Sequence, residues 1–258
     1  MPSSIPSPRA TPIDLPDLIR RFDSPDIRAL VLLGSYARGD PNSFSDVDLG
    51  RFIAADATAP PGSGSHLIDG RLVVVSDISP SDIERSFVQP EIAVSYIPGL
   101  RQARAVVDRD GFFAALQARA HDFIWDAAMQ ARADAYTNRE MVGWIEEVHK
   151  GLAGLQGRNV GRLLDAEFGL GWGLNRLVAV QHGGRLFAGG AVSDNDWFVE
   201  VEKSVGPDTH WANLRRQVFG VTEDDAAPAL PERVIAGLRL YAETAELLGT
   251  SGHQSRLL

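Results

Sequence analysis

The sequence contains no cysteine. Disulfides, thiolate nucleophiles, cysteine-ligated zinc and iron–sulfur clusters are thereby excluded. Lysine is scarce as well, with Lys150 and Lys203 the only two, an arginine bias that reflects genome base composition. Positive charge is short overall: 25 Lys and Arg against 34 Asp and Glu leave a net charge of −9. That argues against a nucleic-acid partner, because non-specific binders need a basic footprint. No apolar run approaches membrane-spanning length, and the N-terminus lacks a basic-then-apolar leader pattern, so no membrane partner and a cytoplasmic location are expected. Walker-type Gly-x-x-x-x-Gly-Lys-Ser/Thr, His-Glu-x-x-His and Gly-x-Ser-x-Gly motifs are all missing. Nothing specifies an oligomeric state.

What is present is an ordinary globular composition, 44% apolar and 23% charged over 258 residues, enough for one large domain or two modest ones. Residues 1–12 are rich in proline and serine and read as a disordered tail. Over 13–127, short apolar runs alternate with turn signals. Strands are expected at Asp26–Leu33, Asp46–Ala54, His66–Ile68, Arg71–Ile78, Ile92–Ile97 and Ala105–Asp108. Asp69-Gly70 marks a hairpin between the third and fourth. Short helices are expected over Asp14–Phe22 and Ser81–Val88, and a longer one from Phe112 to about Trp125. The segment 128–258 has a helical pattern throughout. Met141, Ile145, Val148, Leu152 and Leu155 mark one amphipathic helix. Gly169, Gly171 and Gly173 predict a break or a tight helix crossing, and Ser193–Asp196 a capping-box-like helix start. The class is therefore α+β, a mixed-sheet domain over 13–127 followed by an all-helical domain over 128–258.

The chemistry concentrates between Ala29 and Leu49. The apolar run Ala29–Leu33 reads as a buried strand, ended by Gly34-Ser35, whose small residues let a phosphate approach the backbone. Tyr36-Ala37-Arg38 can begin a helical turn with N–H groups facing an anion. A loop through Pro41 leads to Asp46-Val47-Asp48-Leu49. On a strand, Asp46 and Asp48 project from one face, and two adjacent carboxylates repel unless a divalent cation lies between them. Mg²⁺ suits such oxygen ligands and keeps substrate phosphates in its shell.

Gly-Ser, ten residues (Tyr36 to Ser45) and Asp-x-Asp together resemble the signature of the DNA polymerase beta-like nucleotidyltransferase superfamily. The two-part layout is nearest to its aminoglycoside-modifying, antibiotic nucleotidyltransferase branch. The resemblance implies a Mg²⁺-dependent enzyme with two metal ions. It would move a nucleoside monophosphate, AMP from ATP or another nucleoside triphosphate, to a hydroxyl of a small-molecule, aminoglycoside-like acceptor. Asp46 and Asp48 would be the metal ligands, while Gly34, Ser35 and Arg38 would hold the triphosphate. The superfamily usually has a third carboxylate on a neighbouring strand, for which Asp77 is the candidate because Val73, Val75 and Asp77 share one face. Asp69 reads instead as a turn residue and Asp108 as a cap for the next helix. Without a third carboxylate the second metal would be weakly held.

In the helical half, Trp144-Ile-Glu-Glu-Val-His-Lys150 places Glu146 and Lys150 four apart on one helix face. Kanamycin-modifying members have a general-base glutamate in the helical domain with a lysine four residues later near the triphosphate. The resemblance thus gives Glu146 the base role, with Glu147 as substitute, and Lys150 a triphosphate role; a surface ion pair is the plainer reading. His149 reads as a packing or solvated residue. Asp165 and Trp172 are candidates to line an acceptor pocket. Two other readings stay open: a protein-modifying, antitoxin-like nucleotidyltransferase, and a degenerate nucleotide-binding module without catalysis.

Overall fold

The computed structural model describes residues 13–57, 62–188, 197–221 and 227–250. The expected tail over 1–12, part of the loop at Ala59-Pro60-Pro61 and the expected helix start at Ser193–Asp196 lie outside these residues. The chain divides into two compact units. One holds the chain up to Val88 together with Ser95–Ile124, and the other holds Gln89–Val94 together with the chain from Trp125 onward.

In the first unit, α1 (Leu15–Phe22) is capped by Asp14, whose carboxylate accepts the Asp17 N–H at 3.0 Å. The strand β1 (Ile27–Leu32), the short helix α2 (Gly34–Arg38) and β2 (Val47–Ile53) follow. Next, β3 (Gly64–Ile68) and β4 (Arg71–Ile78) form the expected hairpin, with Asp69 and Gly70 both at positive φ, 50° and 75°. Asp-Gly supplies the mirror-image turn that matches strand twist. A capping box between Ser79 and Asp82 starts α3 (Pro80–Ser86). The helix α4 (Pro90–Gln102) belongs to the second unit up to Val94 and to the first from Ser95, and the first unit ends with β5 (Arg104–Asp108), a 3₁₀ turn at Arg109–Gly111 and α5 (Phe112–His121).

The strand expected at Ile92–Ile97 is thus part of a helix, α4. Six apolar-rich residues fit either state, and the decision falls to tertiary packing. Ala93, Val94, Ile97 and Leu100 are all buried, a spacing that only a helix puts on one side. The Asp108 carboxylate accepts the N–H groups of Phe113 at 2.7 Å and Ala114 at 3.1 Å, so Asp108 does cap the following helix.

The five strands lie in the order β3-β4-β2-β1-β5. The β2–β4 pair is parallel and the other pairs are antiparallel, which makes the sheet mixed. One face carries Leu30, Leu32, Val47, Leu49, Val73 and Val75 and packs with Leu18 and Phe22 of α1. From the other face, Phe52 meets Phe112 and Phe113, with ring centroids 5.9 and 5.4 Å apart. Among the described residues no helix is long and apolar enough to cross a membrane.

The second unit is helical: α6 (Ala127–Gly143), α7 (Ile145–Gly157), α8 (Val160–Gln181), α9 (Gly183–Ala188), α10 (Trp197–Val205), α11 (His210–Val218) and α12 (Leu230–Thr250). With the first unit this makes the chain α+β. Helix α8 is the centre of the core, burying Leu170, Leu174, Leu177 and Val178. It runs unbroken for 22 residues, so its glycines mark a tight crossing and not a break. The amphipathic helix expected over Met141–Leu155 is interrupted at Trp144, where α6 ends and α7 begins. Ile145 and Leu152 are 45% and 52% exposed. Instead α7 packs through its glycines: a Cβ on Gly151 would lie 3.1 Å from Val234, and one on Gly154 3.0 Å from Leu163.

His182, at the end of α8, is buried with its Nδ1 at 3.1 Å from the Ser204 carbonyl oxygen, which an Nδ1–H satisfies. Burial, with a smaller push from Arg185, holds its pKa down at about 4 against an ordinary 6.5. The unfolded chain then binds a proton that the folded chain refuses, so stability is fully present above 6.5 and falls as the pH drops toward 4. The expected loss is on the order of 2–4 kcal/mol. Denaturant midpoints measured across this window should show the slope in the native chain and lose most of it in His182→Asn; Asp17, Asp82 and Glu84, whose carboxyls are held low by hydrogen bonds, act only at more acidic pH.

Candidate active site

The Gly34-Ser35 and Asp46–Asp48 segments, ten residues apart in sequence, meet because β1 and β2 are antiparallel. Leu32 pairs with Leu49, and beyond that rung the Leu33 N–H donates to the Asp48 carbonyl at 2.9 Å. This brings the start of α2 against the start of β2. Gly34 has φ +59°, a backbone conformation that side chains resist. A Cβ there would lie 2.7 Å from Asp48 Oδ2, closer than a carbon and an oxygen can pack. Only glycine lets the Asp48 carboxylate sit on the backbone that Ser35 continues.

Ser35 is the second residue of α2, so its N–H and that of Gly34 have no carbonyl partner within the helix. Gly39, at φ +86°, ends the helix by donating its N–H to the Ser35 carbonyl at 2.9 Å. Arg38 pairs with Asp40 at 3.3 Å and keeps only 14% of its side chain exposed. The Tyr36 hydroxyl accepts from Arg71, 35 residues away in sequence, a partnership that no local pattern signals. Between the two segments, the Asn42 side chain accepts the Phe44 N–H at 2.8 Å and the Ser45 hydroxyl accepts the Asn42 N–H at 2.9 Å. These bonds shape the turn that delivers Asp46 to β2.

Asp77 does not join this group. In the parallel register, Asp48 pairs with Val74 and Arg51 pairs with Asp77. Paired residues share a face and neighbours alternate, so Asp77 lies on the face opposite Asp48. Its carboxylate accepts Arg51 Nε at 2.7 Å, in a pair whose side chains are 5% and 15% exposed. The positions of β4 on the Asp48 face are Leu72, Val74, Ser76 and Ile78, none of them acidic. The sequence shows that Val73, Val75 and Asp77 share a face, but which face depends on the register with β2. Among the described residues no three His, Cys, Asp or Glu side chains are grouped to hold a metal. Asp46 and Asp48 are a two-carboxylate set. Hard oxygen donors fit one divalent cation whose remaining positions go to water and phosphate.

In the helical unit, Glu146 is 73% exposed and contacts Lys150 at 3.1 Å, as the surface-pair reading expects. Glu147 is the sheltered one, 15% exposed and 2.7 Å from Lys150. It lines a cavity of about 420 Å³ together with Trp144, Lys150, Asp165, Phe168 and Trp172. Glu146 is not part of that lining, so of the two carboxylates proposed for the base role it is Glu147 that the structure turns inward. The two flanking carboxylates hold Lys150 above its ordinary range, Glu147 contributing more than Glu146. Phe168 went unnoticed in the sequence, although Val160, Leu164, Phe168 and Trp172 recur every four residues. A smaller cavity, about 240 Å³, has Val47 and Val73 in its lining, on the sheet face away from Asp48.

No family model matches the sequence, and no curated protein matches it. Among solved structures the chain is similar to a nucleotidyltransferase-like protein from Exiguobacterium sibiricum 255-15, with a TM-score of 0.46 and 9% identity over 88% of this chain and 71% of that one. At that score and identity the likeness decides nothing about the chemistry of this chain. The class that the coordinates themselves define is an α+β protein with the Asp48 carboxylate seated against Gly34 at a strand end.

Two substitutions separate the site from its surroundings. Asp77→Ala removes the carboxylate partner of buried Arg51 and leaves, among the described residues, the Gly62 carbonyl at 2.6 Å. It should cost on the order of 2–4 kcal/mol in denaturant stability and leave divalent-cation affinity unchanged. Weaker cation binding at unchanged stability would instead restore Asp77 as a ligand. Gly34→Ala should lose about 1–2 kcal/mol from backbone strain alone and displace the Asp48 carboxylate. A variant as stable as the native chain would show that the close approach is not required.

Proposed function

We propose that this chain is a divalent-cation-dependent nucleotidyltransferase that moves a nucleoside monophosphate, AMP from ATP, to a hydroxyl of a small-molecule acceptor. The observation that carries the reading is the seating of the Asp48 carboxylate on Gly34, which puts that carboxylate beside the Gly-Ser turn. In such a transfer the acceptor oxygen attacks the α-phosphorus, the bond to the bridging oxygen breaks and pyrophosphate departs. Asp46 and Asp48 would hold Mg²⁺, which when bound supplies charge stabilisation for the attacking and leaving oxygens. The N–H groups of Gly34 and Ser35 and the Ser35 hydroxyl donate to the β- and γ-phosphate oxygens. Arg38, already paired with Asp40 at 3.3 Å, plays a lesser part. An aminoglycoside-like acceptor rests on the resemblance alone.

A second reading is favoured by the Leu72, Val74, Ser76 and Ile78 side of β4. With no third carboxylate there, the chain would be a nucleotide-binding module that does not turn over. Incubation with labelled ATP, Mg²⁺ and an acceptor panel separates the two: pyrophosphate release supports the enzyme, and Mg²⁺-dependent ATP binding without release supports the module. Asp46→Asn and Asp48→Asn should each lose turnover by several orders of magnitude while circular dichroism stays native. Near-native turnover in either variant would remove the assignment, and ATP affinity indifferent to chelator would remove both readings.

A further inference from the structure

We propose that the cavity between α7 and α8 is a binding site for a small organic ammonium ion with an apolar, preferably aryl, body. It is an open groove of about 420 Å³, a size within the range of small-molecule sites. Three aromatic side chains, Trp144, Phe168 and Trp172, share its lining with Glu147, Asp165 and Lys150. Core packing accounts for Trp144, whose ring lies directly on Gly173. It does not account for Phe168 and Trp172, which stay 66% and 53% exposed. Trp172 is held in place on one side by an edge contact with Phe219 at 5.5 Å. Asp165, Phe168 and Trp172 fall on one face of α8 by spacing, and Trp144 and Glu147 enter from the neighbouring helix.

The backbone is adapted to this arrangement. Glycine is a poor helix residue, yet α8 carries it at 169 and 173, the positions that face Glu147 and Trp144. A Cβ on Gly169 would lie 2.7 Å from the Glu147 side chain. With any larger residue at either position, Glu147 and Trp144 would be pushed away from α8.

The charge around the cavity selects the ligand's sign. Among the described residues Glu147 and Asp165 line it with Lys150 as the one lining cation, and Lys150 is also drawn outward by Glu146 at 3.1 Å. Two lining carboxylates against one ammonium leave an excess of negative charge. A cation is therefore favoured, and Lys150, tethered to α7, can be relieved of Glu147 by a ligand ammonium. Ring faces attract cations and gain most when the cation is weakly hydrated, as an alkylated or aryl-bearing ammonium is. A heavily hydroxylated polyamine would use the carboxylates and waste the rings. A neutral aromatic would use the rings and waste the carboxylates.

The binding claim does not need the nucleotidyl-transfer reading, and its test uses neither nucleotide nor divalent cation. The full chain is titrated with 2-phenylethylamine, 2-phenylethanol, 3-phenylpropionate and methylammonium by calorimetry and tryptophan fluorescence. The amine should bind at least about ten-fold more tightly than the other three and weaken with salt. Glu147→Gln and Asp165→Asn should each weaken it by roughly five- to ten-fold, and Phe168→Ala, at an exposed position that threatens no core, by a similar factor. Trp172→Phe should remove most of the fluorescence response. Equal affinity for amine and alcohol would overturn the proposal, as would tighter binding of the anion. No saturable amine binding, or unchanged affinity in Phe168→Ala with a native melting curve, would overturn it equally.

Discussion

The contact between Gly34 and the Asp48 carboxylate is the constraint on which the candidate site depends. It exists because two antiparallel strands bring the end of β1 beside the start of β2, with the Leu33 N–H bound to the Asp48 carbonyl as the last rung. A side chain at 34 would separate the turn from the carboxylate. The surrounding sheet works to hold that rung in place. Valine, leucine and isoleucine on β1, β2 and β4 are buried on the α1 face, and Phe52 is clasped by two phenylalanines on the other.

The helical unit uses the same device for a different purpose. Gly151 and Gly154 let α7 approach Val234 and Leu163, while Gly169 and Gly173 let α8 receive Glu147 and Trp144. Each glycine costs helix stability, and the neighbour it admits offsets the cost by packing. The result is a helix that stays continuous for 22 residues where its composition suggests a break. Buried charge is managed with similar economy. Arg215, fully buried, lies 3.4 Å from the centre of the Phe198 ring and bonds to Glu202, and burial pulls its pKa down to about 10.

Much of this was legible one residue at a time. Asp69-Gly70 announces its turn, and Asp108 caps a helix at a distance a reader can count. Gly-Ser and Asp-x-Asp stand out because each half has its own local chemistry. What was not legible involves partners far apart in sequence. The Arg51–Asp77 pair joins residues on two strands, and nothing local to Asp77 reveals it. The run Ile92–Ile97 is equally apolar as strand or helix, and burial of Ala93, Val94, Ile97 and Leu100 decided for the helix.

The sequence by itself determined the α+β class, the hairpin, the caps and the pair of segments around Gly34 and Asp48, because strand alternation, turn chemistry and capping are short-range. Only the tertiary structure decided which sheet face Asp77 occupies, since Leu72-Val73-Val74-Val75 is apolar on both alternating sets and so does not say which set faces which side. It likewise decided that Glu147 and not Glu146 turns toward α8. A helix can rotate by one position at no cost to itself, and the glycines of its neighbour choose which side chain comes in.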